Sequence, residues 1–233
     1  MNSHLRKDIE NLKIRLFRLA AAVEENTRRS LKALRTLSTA LADEVVKADI
    51  DIDRAEIETE EECLKILALH QPVASDLRFV ITVLKINNEL EHMGDTAKNI
   101  AKRIAFIKAE PPCKIPFNLE QMSSRTLFML KSSLDAFSMQ DSKLAIGVCR
   151  DDEMVDSENR ECYSNVRRQI AESPESAPSL INYLLVSKSL ERMADLCTNI
   201  AEDVIYMRHS IIARHNLDKA ASQIESEESN DRV

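Results

Sequence analysis

Leu90–Ile104, LEHMGDTAKNIAKRI, and Leu190–Val204, LERMADLCTNIAEDV, are one fifteen-residue stretch written twice, 100 positions apart. Seven positions are identical: a leucine, a glutamate, a methionine, an aspartate, an asparagine, an isoleucine and an alanine. An internal duplication is the simplest origin. At about 100° per residue, Glu91, Asp95 and Asn99 fall within roughly 80° on a helix, as do Glu191, Asp195 and Asn199. The other side carries Leu90, Met93, Ala97, Ile100 and Ile104, matched by Leu190, Met193, Cys197, Ile200 and Val204. That apolar side is the one to bury, so the carboxylates are expected to point away from the core.

Acids four residues apart on a helix repel, each pair costing a few tenths of a kcal/mol. A bound cation removes that cost. One pair alone means little, because 39 acids in 233 residues give about six such pairs by chance. Recurrence in register is the informative feature.

Around these stretches the composition is restrictive. The two glycines, Gly94 and Gly147, stand among abundant Ala, Leu, Glu, Lys and Arg, which predicts an all-α chain. Walker and Rossmann phosphate loops need more glycine than this and are excluded. A net charge of −7 and a pI near 5.4 argue against nucleic-acid binding, which needs a basic surface, and suit protein partners or cations. Cys63, Cys113, Cys149, Cys162 and Cys197 form no CxxC spacing, and their odd number fits a reducing compartment. The N-terminus, MNSHLRKDIENLK, lacks a signal peptide's apolar run, and no stretch approaches 18 uncharged apolar residues. A cytoplasmic location is expected, with membrane contact only through a partner.

Apolar residues at Leu5, Ile9, Leu12, Leu16, Leu19, Val23, Leu31 and Leu34 predict a first helix to about Thr36. Ser38 and Thr39 offer a break and a cap, and a second helix runs to about Leu69, before Pro72. A third spans Val73 to about Ala109. EPPCKIP, Glu110 to Pro116, holds three of the six prolines and divides the chain. A fourth helix follows to about Ser138, a fifth capped at Asp141 runs to about Glu172, and a sixth runs from Ser179 to about His209. The reading is therefore two tandem three-helix bundles, residues 1–110 and 117–213, related by pseudo-two-fold symmetry. Residues 214–233 are expected to be a polar, disordered tail.

The second helices also align, at an offset of 103: Leu41, Val45, Asp49 and Asp53 against Leu144, Val148, Asp152 and Asp156. Asp49, Asp53, Glu56 and Glu60 form one acidic stripe; its counterpart reads Asp152, Asp156, Asn159 and Tyr163. If the second and third helices of a half are antiparallel neighbours, four carboxylates share a site. Such oxygen ligands suit Mg²⁺, Mn²⁺, Ca²⁺ or ferric iron rather than structural zinc. The first site, with Glu56 and Glu60, is expected to carry the larger metal load. The plainer alternative is a solvated acidic face balanced by Lys85, Lys98 and Lys102. His92 reads as a surface histidine, since its counterpart is Arg192. Asp76 and Arg78, at the start of the third helix, have no charged counterparts in SAPSLINYL, so any role they have is special to the first half.

HQPVASDLRFVITVLKINNELEHMGDTAKNIAKRI, with DIDIDRAEIE upstream and LERMADLCTNIAEDV in the second half, resembles the PhoU family of phosphate-signalling regulators over residues 5 to 215. The resemblance implies paired three-helix bundles with multinuclear metal clusters, iron in some members and Mg²⁺ or Mn²⁺ in others. Its metal residues here would be Asp49, Asp53, Glu91 and Asp95, then Asp152, Asp156, Glu191 and Asp195, with Glu56, Glu60, Asn99 and Asn199 as further candidates. It also implies a homodimerising negative regulator of phosphate-starvation signalling, linking a phosphate ABC transporter's ATPase to a membrane sensor histidine kinase. Two departures stand out: His92 replaces an arginine, and Ser210 replaces a glycine after the last helix.

No catalytic Ser-His-Asp or Cys-His arrangement is present, so the chain is expected not to be an enzyme. A ferritin-like carboxylate-bridged metal oxidase or storage protein is the rival reading. That class uses inward Glu-x-x-His motifs on two helices, and the second half has none beside its acid pair. A third reading has the acidic faces as metal-free docking surfaces for basic partners.

Overall fold

The computed structural model describes residues 3–214 and 216–230, and every regular element among them is helical. Helices α1 (Ser3–Thr36), α2 (Thr39–His70) and α3 (Ala74–Ala109) pack on one another as a first bundle. Helices α4 (Leu119–Met139), α5 (Ser142–Glu172) and α6 (Ala177–His209) make the second, and α7 (Leu217–Asn230) follows. The expected loop at residues 173–178 holds a short 3-10 turn, Pro174–Ser176, that leads into α6. No helix among the described residues is long and apolar enough to cross a membrane.

Local chemistry sets the helix ends. The Ser38 hydroxyl accepts the Leu41 amide at 3.3 Å, and the Asp141 carboxylate accepts those of Lys143 and Leu144 at 2.9 and 3.0 Å. These contacts satisfy amides that have no partner inside the helix. Leu37, Gln71, Gln140 and Ser210 follow helix ends in the left-handed region, at φ of 46°, 45°, 53° and 59°. Glycine normally takes such positions, and a residue with a Cβ there costs about 1 kcal/mol. Both glycines of this chain lie inside helices instead.

Each helix buries the stripe its period dictates. Leu12, Leu16 and Leu19 of α1 meet Ile52 and Ile66 of α2 and Ile86, Leu90, Met93, Ile100 and Ile104 of α3, all fully buried. The core does not stop at the boundary between halves: it continues into Met122, Met129, Leu190, Met193, Ile200 and Val204 as one cluster. The main seam joins α3 to α6, with α1 touching α4. Phe137 of α4 sits between Phe17 and Phe79, ring centres 5.9 and 6.0 Å away. Across the seam the Lys85 ammonium meets the buried Asp203 carboxylate at 2.7 Å, and Asn199 donates to Glu89 at 3.3 Å. The two bundles are thus joined by both apolar and polar contacts.

The tail departs from expectation. Residues 217–230 form α7, which packs against α5 and buries Ala220, Ala221 and Ile224. Its composition is polar on average, but these three small or apolar residues fall on one helical face, and that face docks. Residues 231–233 lie outside the described residues. Replacing Ile224, 1 % exposed, with alanine should lower stability by about 2 kcal/mol or more. Chemical denaturation checks this, and an unchanged midpoint would mean that α7 is not docked in solution.

Candidate metal centre

In the first half α2 and α3 approach closely because Gly94 has no side chain. A Cβ there would lie 3.1 Å from Ile52 Cγ2 and 3.4 Å from Asp49 Oδ1. The second half has Ala194 at this register. The close approach has a consequence that contradicts the outward orientation expected of all eight acids. Asp49 is 2 % exposed, held in the seam between α2 and α3, with Oδ1 lacking a hydrogen-bond partner.

Asp53, Glu91 and Asp95 gather around it, half-buried. Their proximity registers in the acids themselves. Burial holds the Asp53 carboxyl above the usual range, helped by Asp49 and Asp95 and opposed by Lys98. Glu91 is raised likewise, by burial first and then by Asp95, Asp53 and Asp49. The Lys98 ammonium lies between two of these acids and bonds both Asp49 and Asp95. Held by two carboxylates, Lys98 keeps its proton more firmly than a free lysine.

The remaining first-half candidates divide. Glu56 belongs to the same acidic ridge, its carboxyl raised by burial and by Glu60, Glu91 and Asp53, while Oε1 accepts the Asn87 amide at 2.7 Å. Glu60 and Asn99 are exposed. His92 lies beside the cluster, Nε2 3.7 Å from a Glu91 oxygen. Arg78 is half-buried, and its Nε has no hydrogen-bond partner.

The second half repeats the acids without the lysine. Thr198 occupies the Lys98 register and turns its hydroxyl to the Asp195 carbonyl at 2.7 Å, away from the carboxylates. Asp152 is pushed up to about 7, by burial first and then by Asp195, Asp156 and Glu191; its Oδ1 is also buried without a partner. Glu191 is raised by burial and then by Asp195 and Asp156, and Asp195 by burial and then by Asp156, with Lys188 and Arg192 pulling the other way on both. Arg160 approaches Asp156 only to 3.7 Å. Asn199, grouped with this site by the helical wheel, reaches across the seam to Glu89 instead. Asn159 accepts from Ser187 at 2.9 Å.

The eight acids are therefore brought together as two groups of four, one per half. The donors are all oxygen, and each group holds a buried orphan oxygen, which fits a hard cation. As the side chains stand, however, no three carboxylate, imidazole or thiolate groups among the described residues close around one point that could hold an ion. Sequence reasoning placed Lys98 among surface counter-charges and did not single out Gly94. The Lys98 to Thr198 mismatch, between the matched Asp95/Asp195 and Asn99/Asn199 positions, was the available signal.

The family model for the PhoU domain matches this chain twice, over residues 16–104 and 119–204. Among relatives, the phosphate-specific transport system accessory protein PhoU homolog of Aquifex aeolicus is 34 % identical, covering 90 % of this chain and 95 % of that protein. PhoU of Escherichia coli is 29 % identical over 88 % of this chain and 87 % of its own. The crystal structure of PhoU from Pseudomonas aeruginosa superposes with a TM-score of 0.85 at 31 % identity, covering 88 % of this chain and 99 % of that one. For the phosphate transport system regulatory protein PhoU from Streptococcus pneumoniae the TM-score is 0.80 at 29 % identity, with 89 % and 98 % covered. With its twice-repeated domain and its helices arranged as in those structures, the chain belongs to the PhoU family.

Proposed function

We propose that this chain is an accessory protein of a phosphate-specific transport system that restrains phosphate-starvation signalling. It acts without catalysis, as a cytoplasmic, homodimerising adaptor between the transporter's ATPase and a sensor histidine kinase, and its acidic faces bind Mg²⁺, Mn²⁺ or iron. The observation that carries the reading is the recurrence, in both halves of a PhoU-family chain, of four carboxylates gathered between two helices. The relatives are named as accessory proteins of phosphate-specific transport, which supports the same role here.

The metal load is better assigned to the second half, the reverse of the order expected from acid count. Lys98 already supplies a positive charge to the first group, and a cation must displace it. The second group has no such internal partner for Asp152. The metal-free docking reading is favoured by that same lysine, for the first half alone. A ferritin-like oxidase gains no support, because the Glu-x-x-His spacing beside the first group, Glu89 to His92, has its glutamate bonded by Asn199 across the seam, and the second half has Ser189 and Arg192 at those positions.

Deleting the gene in phosphate-rich medium should switch on a phosphate-starvation reporter, and restoring the chain should silence it. Unchanged reporter output in the deletion strain would remove the regulatory reading.

The charge argument has a separate test. A carboxyl whose value in the folded chain is raised to about 7 contributes stability while protonated, and loses it as pH rises from the ordinary aspartate range through 7. Asp152→Asn should therefore stabilise the protein at pH 8 by on the order of 1–2 kcal/mol, allowing for solvent screening, and should give no gain at pH 4. For a chain of this size that is a rise in melting temperature of about 2–6 °C at pH 8. Equal melting shifts at both pH values would show that Asp152 is not under electrostatic stress.

A further inference from the structure

Helix α2 carries a feature that the acidic faces do not use. Ile50, Ile57 and Leu64 are 61 %, 53 % and 52 % exposed, and they recur every seven residues. Single exposed apolar residues are ordinary, but these three stand in heptad register along about 21 Å of one helix face, with Asp53, Arg54, Glu60 and Glu61 between them.

The duplication supplies an internal control. At the offset of 103, the same three positions of α5 are Glu153, Arg160 and Arg167. There the face is closed by charge, with Arg160 donating to Glu153 at 2.6 Å. The bundle therefore does not require apolar residues at this register, and their presence is particular to the first half.

The flanks indicate what fits. Around α2 the stripe lies next to the acidic ridge, with Asp53 and Glu60 on one side and Glu61 on the other, and Asp43 stands one heptad before Ile50. Asp43, Glu60 and Glu61 are exposed and form no ion pair among the described residues. Of the neighbouring cations, Arg54 pairs with Asp51 at 3.1 Å and Lys65 with Glu62 at 3.2 Å, and the exposed Lys47 stands one turn before Ile50 at the end of the face. Two copies of this stripe laid together would place acid against acid, which disfavours self-association.

We propose that the Ile50, Ile57 and Leu64 stripe docks an amphipathic helix of a partner protein, with apolar residues every seven positions and basic residues along its edges. Apolar burial would supply affinity, and the acidic flanks would supply orientation and selection against acidic helices. This names a docking face for the adaptor and rests on that reading for its biological role. The physical claim is about the surface.

A full-length chain with p-benzoylphenylalanine in place of Ile57 is irradiated in cells, the cross-linked peptide is identified by mass spectrometry, and that segment is synthesised as a labelled probe. The expected adduct is a helical, basic-flanked segment of another protein, bound by the wild type at least tenfold more tightly than by Ile57→Glu or Leu64→Glu, with Arg167→Ala unchanged. An adduct confined to a second copy, an acidic or non-helical segment, or no adduct at all overturns the proposal. The positions are exposed, so folding should survive; if a variant melts early, Ile50→Lys replaces it in the binding assay. Lost cross-linking with an intact reporter response sinks this face alone. Intact cross-linking with an unresponsive reporter sinks the adaptor reading alone.

Discussion

Like charges drawn into a helix seam must find a counter-charge or give up their ionisation, and that constraint shapes both halves of this protein. At an effective dielectric near 20, two unit charges 4 Å apart interact by about 4 kcal/mol, a large share of a domain's stability. The first half answers with its own lysine, tied to Asp49 and Asp95. The second half has threonine at that register and leaves Asp152 holding its proton up to about 7. An ion from solution would meet that need, and the cost it removes is the driving force for binding it.

Such groups stay together because the scaffold leaves them little choice. One apolar core runs through both bundles, and Gly94 lets α2 approach α3 until Asp49 is enclosed. The acids are therefore carried by elements whose positions are fixed by burial far from the site. Their mutual repulsion is sustained by packing, as strained functional sites generally are.

Helical period and punctuation made most of the architecture readable in advance. Ser38, Pro72, Asp141 and the EPPCKIP linker mark the ends of elements by chemistry that acts within a few residues, and the fifteen-residue repeat fixed the two-fold organisation. The helical wheel placed the carboxylates on the sides by which α2 neighbours α3 and α5 neighbours α6. What the wheel lacks is the neighbouring helix. It assigned Asp49 to the outside because it could not weigh Gly94, kept Asn199 with its own helix though Glu89 across the seam takes it, and left Lys98 as one surface charge among several. Mean composition, likewise, concealed the three docked residues of α7.

Divergence between the copies is then the main functional statement of the sequence. One half carries an acidic group with a lysine held between two of its members, beside exposed apolar residues, and the other carries an acidic group without that lysine beside a charged face. A duplicated fold that assigns partner contact to one half and cation binding to the other would use each copy for a task the other is poorly built for.

Titration calorimetry with Mn²⁺ on metal-stripped wild type, Asp195→Ala and Lys98→Ala tests the electrostatic account most directly. One dominant site is expected in the wild type, lost in Asp195→Ala, with a second, newly tightened site in Lys98→Ala. Identical isotherms for all three proteins would contradict it.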